Sequence, residues 1–153
     1  MADVLLSSKT DLWGTPQELF DALDYVFNFT LDPCATPDNA KCRRFFTKKE
    51  NGLEQDWGEH RVWMNPPYGR QLPLWMKKAY EASLAGALVV CLVPARTETD
   101  WWFDYALKGT VRYFHGRLAF EGATKSGKPE SATFPSALVI FWPAAVEQYF
   151  IQR

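Results

Sequence analysis

Short apolar runs alternate with amphipathic stretches along this chain, and the spacing of each stretch predicts an element. Leu19, Phe20, Leu23 and Phe27 recur at helical spacing. Thr15 falls at the N-cap of that helix, Pro16 at its first position and Glu18 at its third, which completes a capping-box pattern. Phe29 to Asp32 reads as a short strand ended by Asp32-Pro33. Asn39 to Cys42 begins or forms a short helix, Arg44 to Thr47 is a candidate strand, and Arg61 to Met64 is a strand that runs into a loop at Asn65. Leu72 to Ala85 predicts a second helix, packed through Leu74, Met76, Ala79 and Tyr80 and broken by Gly86.

Ala87 to Val93 is continuously apolar, the sign of a central buried parallel strand, and Pro94 ends it. Thr99 to Leu107 reads as a short aromatic helix capped by Gly109; Val111 to Phe114 and Ala137 to Trp142 read as strands. Glu121 to Thr133 is rich in Gly, Ser, Lys and Pro and reads as a mobile loop. Helices alternating with apolar strands predict an α/β layered fold with a mostly parallel sheet. The expected organisation is a loosely attached arm at residues 1–12 and one domain over 13–153.

Composition narrows the classes of function. A net charge of −1 argues against a coating, histone-like nucleic-acid binder, yet permits an enzyme that contacts a short stretch of nucleic acid. No apolar run is long enough for a bilayer, and Met-Ala-Asp-Val-Leu-Leu does not resemble a signal peptide, so a cytoplasmic location and no membrane partner are expected. Cys34, Cys42 and Cys91 read as free thiols, and two distant histidines, His60 and His115, weigh against a metal centre. Basic residues cluster at 41–49, 70–78 and 125–128, and each cluster reads as a solvated face.

The densest chemistry lies in Trp63-Met64-Asn65-Pro66-Pro67-Tyr68-Gly69. Two adjacent prolines stiffen the loop and remove backbone donors, leaving carbonyls exposed to a ligand. The Asn65 side-chain oxygen and the Pro66 carbonyl can each accept one hydrogen of a flat NH₂ group, with Tyr68 stacking on the ring that carries it.

Asn65-Pro66-Pro67-Tyr68 resembles the catalytic tetrapeptide of S-adenosylmethionine-dependent amino-methyltransferases. Further segments occur in a telling order: Trp13-Gly14-Thr15-Pro16-Gln17-Glu18-Leu19-Phe20, Leu31-Asp32-Pro33-Cys34-Ala35, Asn39-Ala40-Lys41-Cys42, Asn51-Gly52-Leu53-Glu54-Gln55-Asp56-Trp57 and Phe134-Pro135-Ser136-Ala137-Leu138. Together they are similar to the small phage-type DNA N6-adenine methyltransferases. That resemblance implies a Rossmann-like methyltransferase fold with an antiparallel last strand, S-adenosylmethionine as methyl donor and DNA as substrate.

It also implies site roles. Asn65, Pro66 and Tyr68 would be catalytic, with Pro67 and Tyr68 against the substrate base. Thr15, Pro16, Asp32, Ala35, Asn39, Asp56 and Asn65 would line the cofactor site, Asp56 near its adenine amine. Thr15 serves equally well as a helix cap alone, and Asn39 as a turn residue. The usual Gly-x-Gly cofactor turn is absent; Cys34-Ala35-Thr36-Pro37 stands in its place. Arg96 and Arg117 either meet a phosphate or close a pocket, or form an internal ion pair with an acid such as Glu98 or Asp100; Lys125 and Lys128 are candidates for DNA backbone contact. Rival readings are methylation of RNA adenine or of a protein glutamine, and an inactive binding module of the same fold. The state of assembly, monomer or homodimer, stays open.

Overall fold

A computed structural model describes residues 13–122 and 130–151 of the chain. Residues 1–12, expected as an arm, and Lys125 and Lys128 lie outside the described residues. The elements are α1 (Gln17–Phe27), β1 (Arg61–Met64), α2 (Leu72–Leu84), β2 (Leu88–Pro94), α3 (Asp100–Asp104), β3 (Thr110–Tyr113), β4 (Ala119–Phe120), β5 (Glu130–Ser131), β6 (Ser136–Phe141) and α4 (Ala144–Ile151). Most predicted boundaries therefore hold within a residue or two.

The main sheet has the order β1-β2-β6-β3. β1 and β2 pair in parallel, while β6 pairs antiparallel with both β2 and β3. Two of three pairings are thus antiparallel, which corrects the expectation of a mostly parallel sheet. The cause is one strand: β6 enters between β2 and β3 against their common direction. The long apolar run at 88–94 is buried as expected, but only one of its two neighbours is parallel.

Strict alternation divides the core into two faces. Val62, Met64, Val89, Cys91, Val93, Val139 and Phe141 face α2 and α3, where Leu72, Trp75, Met76, Ala79, Trp101 and Trp102 complete one cluster. Trp63, Val90, Leu92, Leu138 and Ile140 face the other way, onto Phe20, Phe29, Tyr68 and Phe120. β1, β2 and β6 bury both faces, so apolar residues run along them, whereas the edge strand β3 is largely exposed. Leu74, predicted to pack, is half exposed, because Trp75 and Met76 take the buried side of α2.

Three local expectations change. The N-cap of α1 is Pro16, not Thr15, and it makes no side-chain cap bond. Instead the Glu121 carboxylate accepts the Gln17 backbone N–H at 3.0 Å, from 104 residues away. Asn39 to Cys42 is not helical; Asn39 closes a turn whose N–H and side chain bond back to Thr36. Phe29 to Asp32 and Arg44 to Thr47 are extended but make only single parallel bridges, Leu31 to Val62 and Asp32 to Phe45. The stretch read as a mobile loop ends in β5, which pairs with β4.

Gly52 sits where a Cβ would run into the Pro33 carbonyl and the Trp75 ring. Gly52→Ala must push the 51–54 turn off the segment that follows Asp32. An overpacked core costs about 1–3 kcal/mol. Thermal unfolding of this variant should therefore begin several degrees lower; an unchanged transition would show that the turn yields freely.

Candidate active site

Strands that share a direction place their carboxyl ends along one edge of a sheet, and the segments leaving those ends build the site. Asp32 follows Leu31, which is bonded in parallel beside β1: the Leu31 carbonyl accepts Trp63 N–H at 2.9 Å. Asn65 follows β1 directly. Both line a cavity of about 420 Å³ together with Trp13, Thr15, Cys34, Lys41, Pro66, Pro67 and Glu121. That volume lies within the usual range for small-molecule sites.

The Asn65 amide has a fixed orientation. Its Nδ2 donates to the Trp13 carbonyl and to Thr15 Oγ1, the latter at 3.0 Å. A carbonyl can only accept, so the NH₂ end of the amide must point that way. Asn65 Oδ1 is then left buried with no partner among the described residues. A buried amide oxygen without a donor costs free energy, of order 1–3 kcal/mol. A ligand N–H would supply the missing bond. No described group donates to the Pro66 carbonyl either. Two acceptors on consecutive residues are thus left without a donor among the described residues.

Asp32 is 5% exposed. Its Oδ2 accepts Lys41 N–H at 3.1 Å and its Oδ1 accepts Cys34 N–H at 3.4 Å. Burial pushes its carboxyl up to about 6; the two backbone bonds and the Lys41 charge only partly offset this. The group lacks a cation at contact distance among the described residues. Burial likewise holds the Cys34 thiol well above its ordinary range, so it stays protonated and donates to the Asn65 backbone carbonyl at 3.4 Å. Cys34 in place of a glycine therefore fastens the two site loops to each other.

Of the residues expected at the site, Thr15, Asp32, Asn39, Asn65, Pro66 and Pro67 line the cavity. Pro16 and Ala35 neighbour it in sequence without lining it. Asp56 does not reach it: exposed, it caps a turn by accepting Gly58 N–H at 2.8 Å. Tyr68 is also absent from the lining. Its buried hydroxyl donates to the Leu92 carbonyl at 3.1 Å, and Phe120 and Phe134 pack edge-on to its ring. A buried phenol needs a partner, and this one finds it in β2 rather than in the cavity. Arg96 forms no ion pair with Glu98 or Asp100; its guanidinium donates to the Tyr68 carbonyl at 3.3 Å and braces the loop. Arg117 is exposed, away from the cavity.

Sequence reasoning missed Gln17, Lys41 and Glu121 as lining residues. Gln17 and Lys41 each belonged to a motif already singled out, which was the available signal. Glu121 reaches the site only because Gly14 and Glu121 exchange both backbone bonds, at 3.0 and 2.8 Å. A Cβ on Gly14 would lie 2.6 Å from the Glu121 carbonyl oxygen, so this approach depends on glycine.

The raised Asp32 carboxyl has a measurable consequence. Its folded value exceeds its unfolded one, so its contribution is most favourable below about pH 4 and is lost as pH rises toward 6. The displacement from 3.8 to about 6 corresponds to about 3 kcal/mol. Urea unfolding of the ligand-free protein between pH 4 and 7 should show this decline, and Asp32→Asn should flatten it. An equal slope in both proteins would assign the decline to other groups.

Comparison with known proteins identifies the family. The family model described as DNA N-6-adenine-methyltransferase (Dam) matches residues 3–152. A DNA N-6-adenine-methyltransferase of Haemophilus phage HP1 is 33% identical over 143 residues, covering 90% of this chain and 82% of the relative. One from Escherichia phage T1 is 35% identical over 96 residues, covering 61% of this chain and 40% of the relative. With nearly every residue matched and the orphaned Asn65 oxygen at the heart of the matched segment, the chain belongs to the DNA N-6-adenine-methyltransferase (Dam) family.

Proposed function

We propose that this protein transfers the methyl group of S-adenosylmethionine to the N6 amine of adenine in DNA. The observation that carries the reading is Asn65 Oδ1, buried, oriented and without a donor. Family membership supports adenine in DNA as the acceptor. The cavity suits the donor: it is lined by Asp32, a buried acid without a close cation, as a cationic ligand requires. The co-directed β1, β2 and β3, with β6 reversed, support a Rossmann-like arrangement in which the last strand is the antiparallel one. We assign residues 13–153 to the methyltransferase domain and place the protein in the cytoplasm of a bacterial host; no described helix is long and apolar enough to cross a membrane.

The chemistry follows from the acceptors. An exocyclic amine is a weak nucleophile because its lone pair is delocalised into the ring. Asn65 Oδ1 and the Pro66 carbonyl would hold its two hydrogens, draw the nitrogen toward a tetrahedral shape and aim the lone pair. When bound, S-adenosylmethionine supplies a sulfonium methyl, electrophilic enough to need no covalent enzyme intermediate. Transfer would form the N–C bond as the S–C bond breaks, leaving the donor as a neutral thioether, and the extra proton would pass from the amine to solvent. Alignment would supply most of the acceleration, for which effective molarities of roughly 10⁵ M are attainable.

A duplex hides its adenine amine, so the base is taken flipped out or single-stranded. Tyr68 would stack on it with Pro67 alongside, once Phe134, its half-buried neighbour, moves off. Thr15 and Asn39 would border the donor, with Pro16 and Ala35 supporting the same segments from behind. Arg96 would hold the loop in place, and Arg117, Lys125 and Lys128 would meet the DNA backbone.

The test is transfer of labelled methyl to unmethylated DNA, with ribosomal RNA and a release factor as competing acceptors, read by mass spectrometry of the digests. N6-methyladenine in DNA alone is expected; label in RNA or protein would overturn the substrate. Asn65→Ala should lower turnover by at least about a hundredfold, the loss that follows removal of one charge-stabilising contact. S-adenosylmethionine affinity should change far less. In Asn65→Asp a carboxylate oxygen would face the Trp13 carbonyl. We therefore expect Asn65→Asp to be impaired at neutral pH, and wild-type rates in it would refute the orientation described above.

A further inference from the structure

We infer that Lys41 is the carboxylate anchor for the amino-acid end of the methyl donor, an inference that rests on reading the cavity as the S-adenosylmethionine site. Lys41 differs from the basic residues around it. Arg43, Arg44, Lys48 and Lys49 are exposed, whereas the Lys41 side chain is 11% exposed. A lysine gives up its hydration only where partners replace it. Its Nζ donates to Gln17 Oε1 at 2.6 Å and lies 3.9 Å from Glu121 Oε2. An ammonium has three donors. One is engaged at short range, and the Glu121 contact is long and half exposed to water. The remaining capacity is directed at a cavity that Lys41 lines.

The charge pattern gives this capacity a purpose. Among the described residues that line the cavity, Lys41 is the sole basic side chain, and Asp32, Asp38 and Glu121 are acids. A carboxylate entering such a cavity is repelled unless a cation receives it. A free amino acid carries an ammonium and a carboxylate on one carbon. The site offers the matching pair on one short piece of backbone, because Lys41 N–H donates to Asp32 Oδ2 at 3.1 Å. Asp32 takes the ammonium and Lys41 the carboxylate. Gln17 holds the lysine from the first turn of α1, so the segment 13–17 that orients Asn65 also sets the position of this charge.

Titration calorimetry with two donors tests the assignment. One is S-adenosylmethionine; the other is its decarboxylated form, which keeps the sulfonium, the amine and the nucleoside. Lys41→Met should reduce the preference for the intact donor by about tenfold or more, the range expected when a charge-assisted bond is lost. Lys41→Gln, which retains a donor for Gln17 Oε1, should show the same reduction and guards against simple misfolding of the first variant. Lys41→Arg should keep most of the preference. If either neutral variant weakens both donors equally, or changes neither, Lys41 is only a brace and the inference fails. A wild-type protein that binds neither donor would instead bring down the donor reading on which the inference rests.

Discussion

One side-chain amide holds the site together. Asn65 joins the loop after β1 to the segment before α1 through the Trp13 carbonyl and Thr15 Oγ1. Those two bonds fix which end of the amide faces the cavity, and the acceptor at the other end is unpaired as a result. On the proposed reading, the cost of a buried, unsatisfied oxygen would spare any reorganisation when an amine arrives. Other contacts serve the same placement. Cys34 fastens the neighbouring loop to the Asn65 carbonyl, Arg96 braces Tyr68, and Gly14 admits Glu121 close enough to close the site from the far side.

Sequence reasoning succeeded where the physics is local. The stiffness of Pro66-Pro67, the acceptors beside it and the helical spacing of Leu19, Phe20, Leu23 and Phe27 all follow from neighbours in the chain. It failed where partners come from afar. Thr15 reads as a cap because Ser and Thr usually cap. Its hydroxyl is instead taken by Asn65, fifty residues on, and a glutamate near the other end of the chain does the capping. Tyr68 reads as a stacking face, but the aromatic residues that cover it come from 120 and 134. Strand direction is equally non-local: an apolar run signals burial on both faces and carries no information about which neighbour runs backwards.

Electrostatically the cavity is a balance of mismatches. Asp32 is more deeply buried than its hydrogen bonds alone would favour, and Lys41 is only partly paired. Neither mismatch stabilises the ligand-free protein. Both are relieved by a ligand that carries charges of each sign in the right order. On the proposed reading, affinity and selectivity for a zwitterionic cation would come from groups already set in place, without a glycine-rich turn and without a large net charge on the protein.

The reversed strand has a consequence for how the chain is made. β6 contributes the partner for the inner edge of β2 and for the whole of β3, yet it is drawn from residues 136–141. A ribosome delivers that stretch only after β1, β2 and β3. Until then the most apolar strand of the protein has an open edge, and β3 has no place in the sheet. The nascent chain therefore cannot assemble its sheet strand by strand as it emerges. Completion waits for residues 136–141, and the long-range pairing that results is of the kind that folds slowly and exposes sticky edges meanwhile.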